Sequence, residues 1–338
     1  MQKTNNAGLK SAAVAVSRKN KIGHEAKTNL YGYAFVTPFI VAFCVFNLWP
    51  TINTFILSFT DLKGLQQNFS FIGFDNFNRL IHDSFFWGAL GNTFIIWGIN
   101  FLPQLGIALV LAIWLSDTRL NLAGQGLFRA VIYMPNLLTA ASVALLFRSL
   151  FGYPIGPANQ FLRILGISAI NIVDGMEVRE AINFFRSVPF TRILVAFVQW
   201  WMWYGHTLIM LMAGITSIPV SLYESATVDG ANSRQTAWFI TLPLLRPMML
   251  YILVTSMIGG MQMFDIPYLL TNMYGGPDTK IRTTVLYQYN VAFMGATDKA
   301  YGAAVSIGIF IVTIFLAMLI FFFLQDRSEL KKKKGVTA

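Results

Sequence analysis

Two stretches of the sequence place hydrogen-bonding side chains beside aromatic rings inside otherwise apolar runs. The residues concerned are Gln199, Trp203 and His206 in the first stretch, and Gln262, Asp265 and Tyr268 in the second. Spacings of three and four residues bring each set onto one face of a helix. Polar groups next to aromatic faces suit the binding of a sugar, provided that the pocket is kept from lipid. We therefore predict that these side chains line a substrate pathway.

The same side chains have simpler interpretations. A buried Asn or Gln often bonds only to a neighbouring helix, at about 0.6 kcal/mol on average in one measured membrane protein. Trp200, Trp201 and Tyr204 fit the belt of aromatic residues that forms at a membrane–water interface. Another apolar run adds three polar candidates, Asn92, Asn100 and Gln104. Since lipid contact is costly for polar groups, such side chains should face protein or water.

Covalent chemistry has no matching motif in this chain. The sequence contains no G-x-x-x-x-G-K-[ST] loop, so we expect no ATP hydrolysis by the chain itself. Its three histidines, His24, His82 and His206, stand far apart without a neighbouring Cys or His, which argues against a metal site. The single cysteine, Cys44, excludes an internal disulfide. We accordingly predict that the chain is not an enzyme and holds no cofactor.

The elements that position these residues must be membrane-spanning helices. Of the 338 residues, 55% are hydrophobic and 12% are charged, and the mean hydropathy is +0.57. A soluble domain carries about 25% charged residues, and a helix needs roughly 20 apolar residues to cross a bilayer. Suitable runs lie at about 33–59, 91–115, 130–151, 192–216, 247–270 and 302–324. The predicted fold class is all-α and integral to the lipid bilayer, with six transmembrane helices.

The distribution of charge sets the orientation of these spans. An even number of spans leaves both termini on one side. Placing them in the cytoplasm puts 15 of the 25 basic and 6 of the 15 acidic residues there. The outside segments hold 10 basic and 8 acidic residues, and Asp265 stays in the membrane. The excess of Lys and Arg inside favours this orientation. Because these residues lie beside apolar runs, the net charge of +10 does not indicate nucleic-acid binding.

One polar segment interrupts the apolar sequence between the fourth and fifth spans. The stretch 221–224 fits the S-x-x-E capping box, which predicts a short helix from Leu222. Gly230 should break that helix, since glycine accepts a positive φ without penalty. A second short helix over 233–241 should end at Leu242-Pro243, because Pro disfavours helix in the residue before it. The resulting helix–turn–helix should expose three apolar side chains, Leu222, Ala226 and Trp238.

The spacing within this segment resembles the EAA loop of bacterial ABC importer permeases. That pattern is Glu-Ala-Ala, three residues, Gly, nine residues, and then Ile-x-Leu-Pro. The loop covers about 219–245, and the residues assigned to it are Glu224, Ala226, Asp229, Gly230, Ala231, Ile240, Leu242 and Pro243. Ser225 departs from the pattern, at a position that takes a small residue.

Three further stretches are similar to the carbohydrate-importing branch of these permeases, the membrane subunits of maltose-type transporters. They lie at 71–77 (FIGFDNF), 126–129 (GLFR) and 271–277 (TNMYGGP). The similarity covers roughly residues 33–325, and it implies a six-span transmembrane domain over that range. The chain would then have a cytoplasmic N-terminal tail, 1–32, and a basic cytoplasmic tail, 326–338, and would lie in the bacterial plasma membrane.

The resemblance also implies partners and a task. Members of this family pair with a second homologous permease, and two cytoplasmic ATPase subunits, which bind the ATP and Mg, grip the EAA loops. An extracytoplasmic sugar-binding protein delivers the carbohydrate, which we take to be an oligosaccharide. The family's sugar site lies on the spans that match the fourth and fifth here.

Two other functions fit parts of the sequence. An ion-coupled secondary transporter places ionisable relays in its spans, and only Asp265 and His206 could serve here. An importer permease of the same kind could also carry a solute other than a sugar. Asp265 could instead pair with a basic residue of the second permease. Uptake by the purified chain without any ATPase would favour the secondary transporter.

Overall fold

The helix that opens the described part of the chain belongs to a unit of its own. The computed structural model describes residues 31–66, 68–116, 124–173, 176–295 and 297–324. The chain divides into two units, Met1–Leu57 and Ser58–Ala338. The described part of the first unit is helix α1, Tyr31–Leu57.

Helix α1 contains one wide turn just ahead of a proline. A π turn spans Cys44–Leu48, and the N–H of Trp49 bonds back to the carbonyl of Cys44. Pro50 follows at once and has no N–H to offer the preceding turn, so a π turn accommodates it there. The helix begins and ends two residues before the predicted span 33–59. It therefore overlaps the predicted tail by two residues, and the rest of that tail lies outside the described residues.

Three long helices form the frame of the second unit. They are α3, Ser84–Ser116, α7, Val188–Thr216, and α14, Lys299–Leu324, and a short helix, α2, Asp75–Ile81, precedes α3. Ala108 and Ala112 of α3 are buried in one apolar cluster with Leu208 and Leu211 of α7, because small residues let two helices approach closely. All three long helices begin before their predicted spans, since hydropathy marks the apolar stretch rather than the whole helix.

The third predicted span is bent. Its parts are α4, Gln125–Tyr133, a 3₁₀ turn, Met134–Leu137, and α5, Ala140–Leu150. The two arms meet at 86°. Pro135 lies in the 3₁₀ turn, and Thr139 caps α5 by accepting a hydrogen bond from the N–H of Ser142. The continuous helix predicted over 130–151 is therefore wrong, because apolar composition does not register a proline turn followed by a new cap.

The polar segment after α7 consists of short helical pieces. They are α8, Val220–Val228, α9, Ser233–Thr236, a π turn, Ala237–Thr241, and α10, Leu242–Leu244. Helix α11, Arg246–Met261, follows at 64° to the segment Ser233–Leu244.

The fifth predicted span breaks after Met261. Residues 262–264 form no helix, and α12, Asp265–Leu270, starts anew. Side chains 20 and 23 positions further along bond the carbonyls freed by the break: Thr283 Oγ1 donates to Met263 O at 2.7 Å, and Thr284 Oγ1 donates to Met261 O at 3.2 Å. The continuous helix predicted over 247–270 is therefore wrong, because distant residues stabilise the interruption.

Small elements fill the stretches between the long helices. Between α5 and α7 lie α6, Pro157–Ile164, an antiparallel hairpin of β1, Ala169–Val173, and β2, Met176–Glu180, and a 3₁₀ turn, Phe184–Arg186. The hairpin pairs Ala169 with Glu180 at its open end. Between α12 and α14 lies α13, Thr284–Phe293. No sequence pattern had indicated the hairpin, which is a small addition to a helical frame.

The predicted fold class, an all-α integral membrane protein, is confirmed. Within the described ranges, α1, α3, α7 and α14 are long and apolar enough to cross a membrane. The number rises to six if each of the two bent pairs counts as one span. Six spans therefore stay a prediction, and the basic tail predicted at 326–338 lies outside the described residues.

Candidate substrate cavity and coupling loop

A cavity of about 540 Å³ opens between α3, α7, α11 and the break that precedes α12. Five of the six residues predicted to line a pathway lie on it. They are Gln199, Trp203, His206, Gln262 and Asp265. The volume falls in the range of about 300–1,000 Å³ that is usual for small-molecule sites.

Helix α7 supplies the aromatic part of the cavity wall. Trp203 and His206 meet edge to face, with ring centroids 6.0 Å apart and planes at 88°. Trp203 is 47% exposed, so its ring is available to a ligand. Gln199 lies one helical turn before Trp203, and neither Gln199 nor His206 forms a side-chain hydrogen bond within the described part of the chain. An aromatic face flanked by unpaired polar groups can bind a sugar ring.

Helix α3 adds amide groups to the wall. Gln104 donates from Nε2 to Thr207 Oγ1 at 2.7 Å, which ties α3 to α7 within the lining. Asn100 also lines the cavity, and its Oδ1 is buried without a hydrogen-bond partner among the described residues. A buried acceptor left unpaired costs roughly 1–3 kcal/mol, so this oxygen favours a bound donor. Asn92 is not part of the lining and accepts a hydrogen bond from Arg192 at 2.7 Å.

The break after Met261 carries Gln262 and Asp265 on the cavity wall. Neither side chain forms a hydrogen bond or ion pair with another described residue. Just before the break, Gly260 lies against Trp97, and a Cβ there would come within 2.4 Å of Trp97 Cδ1. Trp97 is itself fixed, since its Nε1 donates to Ser256 Oγ at 3.1 Å. Unpaired polar side chains therefore project from a tightly packed backbone.

Tyr268, the sixth predicted pathway residue, does not line the cavity. Its ring stacks on Phe264 at 5.0 Å between centroids and meets Tyr289 edge to face at 5.5 Å. Phe264 does line the cavity, so Tyr268 supports the wall from behind. Trp201 is likewise outside the lining and packs against Phe147, with ring centroids 6.0 Å apart.

Sequence reasoning missed four polar lining residues, Asn136, Thr207, Thr255 and Ser256. Small hydroxyl residues do not stand out in an apolar helix because they usually bond to their own backbone. Thr255 does so, donating to Tyr251 O at 2.8 Å. Asn136 lies in the 3₁₀ turn between α4 and α5 and donates to Met202 O at 3.3 Å. Its position next to Pro135 was a signal for a turn inside the predicted span.

The turn in the coupling loop, residues 219–245, is a Schellman motif. Gly230 takes a φ of +75°, which glycine adopts without steric penalty. The N–H of Ala231 bonds to Ala226 O at 2.9 Å, and the N–H of Gly230 bonds to Thr227 O at 3.1 Å. Ala226 is 8% exposed, so the prediction that its side chain is exposed is wrong. The small residues and the glycine of the loop pattern thus serve a tight helix end.

The capping box predicted at 221–224 does not form. Helix α8 begins at Val220 with Pro219 as its cap residue, and no side chain caps it. Pro219 has a fixed φ and no N–H to leave unpaired, so it suits a helix start, and the predicted cap lies inside the helix. A capping box forms instead at α9, where the side-chain oxygens of Asn232 and Gln235 each accept from the other's N–H at 2.9 Å. The N-x-x-Q spacing of residues 232–235 could have predicted this capping box.

The second arm of the loop continues past the predicted end. Ile240 lies in the π turn, and Leu242 and Pro243 open α10, which ends at Leu244. The π turn re-registers the backbone hydrogen bonds ahead of Pro243, so the proline does not end the arm. The predicted helix end at Leu242-Pro243 is therefore wrong.

The outer face of the coupling loop carries exposed charged and apolar groups. Glu224 and Asp229 are both exposed, and neither carboxylate has a hydrogen bond or ion pair with another described residue. Leu222 and Trp238 are 41% and 62% exposed, as predicted. A partner protein can therefore contact both charge and an aromatic side chain here.

Asp83, just before α3, joins three helices in a way that no sequence pattern indicated. Its carboxylate accepts hydrogen bonds from the hydroxyls of Tyr287 in α13 and Tyr301 in α14. Burial raises the pKa of Asp83, but these donated bonds outweigh burial and hold its pKa below the ordinary value. Beside this cluster Arg79 pairs with Asp298 at 2.8 Å. The starts of α3 and α14 are thus fastened together.

Residues 104–331 match the family described as the binding-protein-dependent transport system inner membrane component. The chain belongs to this family. The permease is 32% identical over 296 residues to the lactose transport system permease protein LacF of Rhizobium radiobacter, covering 88% of this chain and 94% of the relative. It is also 32% identical over 292 residues to the arabinooligosaccharides transport system permease protein AraP of Bacillus subtilis, covering 85% and 86%.

The permease also resembles a solved structure, a bacterial alginate ABC transporter in complex with an alginate pentasaccharide-bound periplasmic protein. The TM-score is 0.68 at 25% identity, over 89% of this chain and 95% of the other. The expected resemblance to ABC importer permeases is confirmed. The chain is a multi-pass membrane component of a binding-protein-dependent transport system rather than an enzyme. Within the described ranges, no cluster of His, Cys, Asp or Glu could hold a metal ion.

Proposed function

We propose that this permease is the membrane-spanning subunit of a sugar importer, and that a sugar of oligosaccharide size passes through the cavity lined by Trp203. The observation that carries the proposal is the convergence of five polar and aromatic residues, from two separate sequence stretches, on one cavity. The names of the two relatives, which refer to lactose and arabinooligosaccharide transport, support a sugar as the substrate. Tyr268 positions Phe264 from behind.

The coupling loop, 219–245, docks on a cytoplasmic ATPase subunit in this proposal. Glu224 and Asp229 offer unpaired charge on its exposed face, and Trp238 offers an aromatic ring. The hydroxyls of Tyr223 and Thr241 lie 3.2 Å apart and link the two arms. A push on α8 therefore moves both arms together, and α11 follows the second arm directly.

Four partner proteins complete the proposed machine: a second homologous permease, two ATPase subunits and an external sugar-binding protein. The ATPase subunits bind ATP and Mg, and this chain needs no cofactor of its own. ATP binding draws the coupling loops together and turns the cavity outward to receive the sugar, and hydrolysis resets it. Both termini lie in the cytoplasm, since the excess of Lys and Arg falls on that side of a six-span arrangement.

The two alternative functions lose support. A family of binding-protein-dependent transport components does not favour an ion-coupled secondary transporter. No feature of the cavity supports a substrate other than a sugar.

The experiment compares sugar uptake with ATPase activity in proteoliposomes that contain the complete transporter. We expect Trp203→Ala and Gln262→Ala to lower uptake while the ATPase still responds to the loaded binding protein. Loss of an aromatic contact of this size costs about 2 kcal/mol, or roughly 30-fold in binding. Trp201→Ala is the matched control, because it removes the same side chain from the same helix outside the cavity.

A folding defect would abolish both activities, and a coupling defect would leave the ATPase running without regulation. Uptake at the wild-type rate by both cavity variants would mean that these residues only pack helices and that the sugar takes another path.

A further inference from the structure

The cavity carries one formal charge. Asp265 is the only Asp, Glu, Lys or Arg among the described residues that line it, and His206 is the only other titratable group. The remaining polar lining groups are amides and hydroxyls, Gln199 and Gln262 among them. The wall is therefore acidic at a single position.

No described residue neutralises Asp265. Two basic residues lie on the neighbouring helices, and both have other partners. Arg148 donates to Leu269 O at 3.1 Å and also bonds the Asn272 side chain. Arg192 donates to Asn92 Oδ1 at 2.7 Å and to Lys280 O at 3.1 Å. Arg79 is occupied as well, since it pairs with Asp298. The charge of Asp265 is thus left to act on whatever enters the cavity.

An ionised carboxylate accepts hydrogen bonds and donates none. A neutral sugar satisfies it, because every sugar hydroxyl can donate, and Gln199 and Gln262 can both donate and accept. A sugar acid brings a second negative charge and no compensating cation. We propose, building on the proposed function, that Asp265 makes this cavity selective for uncharged sugars and against uronates. The permease would then differ in substrate class from the alginate transporter that it resembles, since alginate is built of uronates.

The size of this effect follows from Coulomb's law. Two like charges about 6 Å apart repel each other, and we take the screening to lie between that of a protein surface and that of bulk water. This repulsion lowers the binding of a charged sugar about tenfold relative to a neutral sugar. We therefore expect the wild-type cavity to prefer a neutral trisaccharide to the matching uronate by about that factor.

The experiment measures direct binding to the assembled transporter in nanodiscs, without the binding protein, by saturation-transfer NMR. The probes are neutral trisaccharides of glucose, galactose and arabinose, and a trisaccharide of galacturonate. We expect Asp265→Asn, which keeps the shape of the side chain, to bind the uronate within about twofold of the neutral probes. Asp278→Asn is the matched charge control, because Asp278 does not line the cavity, and it should keep the wild-type preference.

Three results would overturn the proposal. The wild type could bind the uronate as tightly as the neutral probes, or Asp265→Asn could leave the preference unchanged. Asp265→Asn could also release the second permease on size-exclusion chromatography, which would show that Asp265 pairs with a cation of that subunit. Trp203→Ala separates this test from the proposed function. If Trp203→Ala does not weaken binding of the neutral probes, the cavity is not a sugar site. If Trp203→Ala weakens that binding but the wild type does not distinguish neutral from charged probes, only the role of Asp265 is refuted.

Discussion

Replacing Gly230 changes the turn of the coupling loop without disturbing any packing. A methyl group at this position would meet no atom within 4 Å, so the effect of Gly230→Ala is conformational. The φ of +75° costs an L-residue roughly 1–2 kcal/mol. Gly230→Pro is worse, since its ring fixes φ near −65° and removes the N–H that bonds Thr227 O at 3.1 Å. We expect Gly230→Pro to destabilise the turn by about 3 kcal/mol or more, which is enough to break the Schellman motif.

A graded series at this position should show graded coupling. Gly230→Asn should stay near wild type, because Asn tolerates a positive φ, while Gly230→Ala should lower stimulated ATPase activity about fivefold. Gly230→Pro should abolish stimulation by the loaded binding protein and leave insertion into the membrane intact. The assay is ATPase activity of the reconstituted complex with and without that binding protein.

The chain offers a matched control for this series. Gly166 ends α6 in the same way, with a φ of +75°, no atom within 4 Å of a Cβ, and a bond of 2.9 Å from the N–H of Ile167 to Leu162 O. Gly166→Pro should therefore destabilise its own loop without uncoupling the ATPase. Unaltered stimulation in Gly230→Pro, or an equal loss in Gly166→Pro, would refute the assignment of residues 219–245 as the coupling loop.

Two further predictions concern orientation and the Asp83 cluster. With Cys44 replaced, a cysteine at Lys331 should resist an impermeant thiol reagent in intact cells and one at Met176 should react, and the opposite labelling would reverse the orientation. The pKa of Asp83 is lowered in the folded protein, so its ionised carboxylate stabilises the fold. This contribution is complete above the ordinary carboxyl pKa of about 4 and is lost as the pH falls below that value. Asp83→Asn should lower the melting temperature at pH 7 and flatten its decline in acid, and an equally steep decline in the variant would count against the cluster.

The predictable part of the site depended on local periodicity. The spacing of Gln199, Trp203 and His206 defines one face of α7 whatever surrounds that helix, and the structure places all three on the cavity. The break that aims Gln262 and Asp265 at the same cavity depends on hydroxyls 20 and 23 positions away, which no local pattern records. The sequence therefore pointed to residues that line the cavity, but the continuous helix predicted to carry them is broken.

The coupling loop shows two local signals in competition. Residues 221–224 and 232–235 both fit a capping box, and only the second forms one. The difference lies just before the first stretch, where Pro219 starts the helix early and places the serine inside it. In the same way, the burial of Ala226 depends on its three-dimensional surroundings, which the spacing of the loop residues does not reveal.

The contact between Gly260 and Trp97 limits how this transporter can evolve. Any side chain at position 260 would require Trp97 to move, and Trp97 is stacked on Phe101 at 5.2 Å and bonded to Ser256. A side chain at 260 thus needs a simultaneous change at 97, so position 260 resists substitution by a single mutation. Gln262 and Asp265, which have no partners among the described residues, can change one at a time. New substrate preferences should therefore arise by exchange of these polar groups rather than by substitution at position 260.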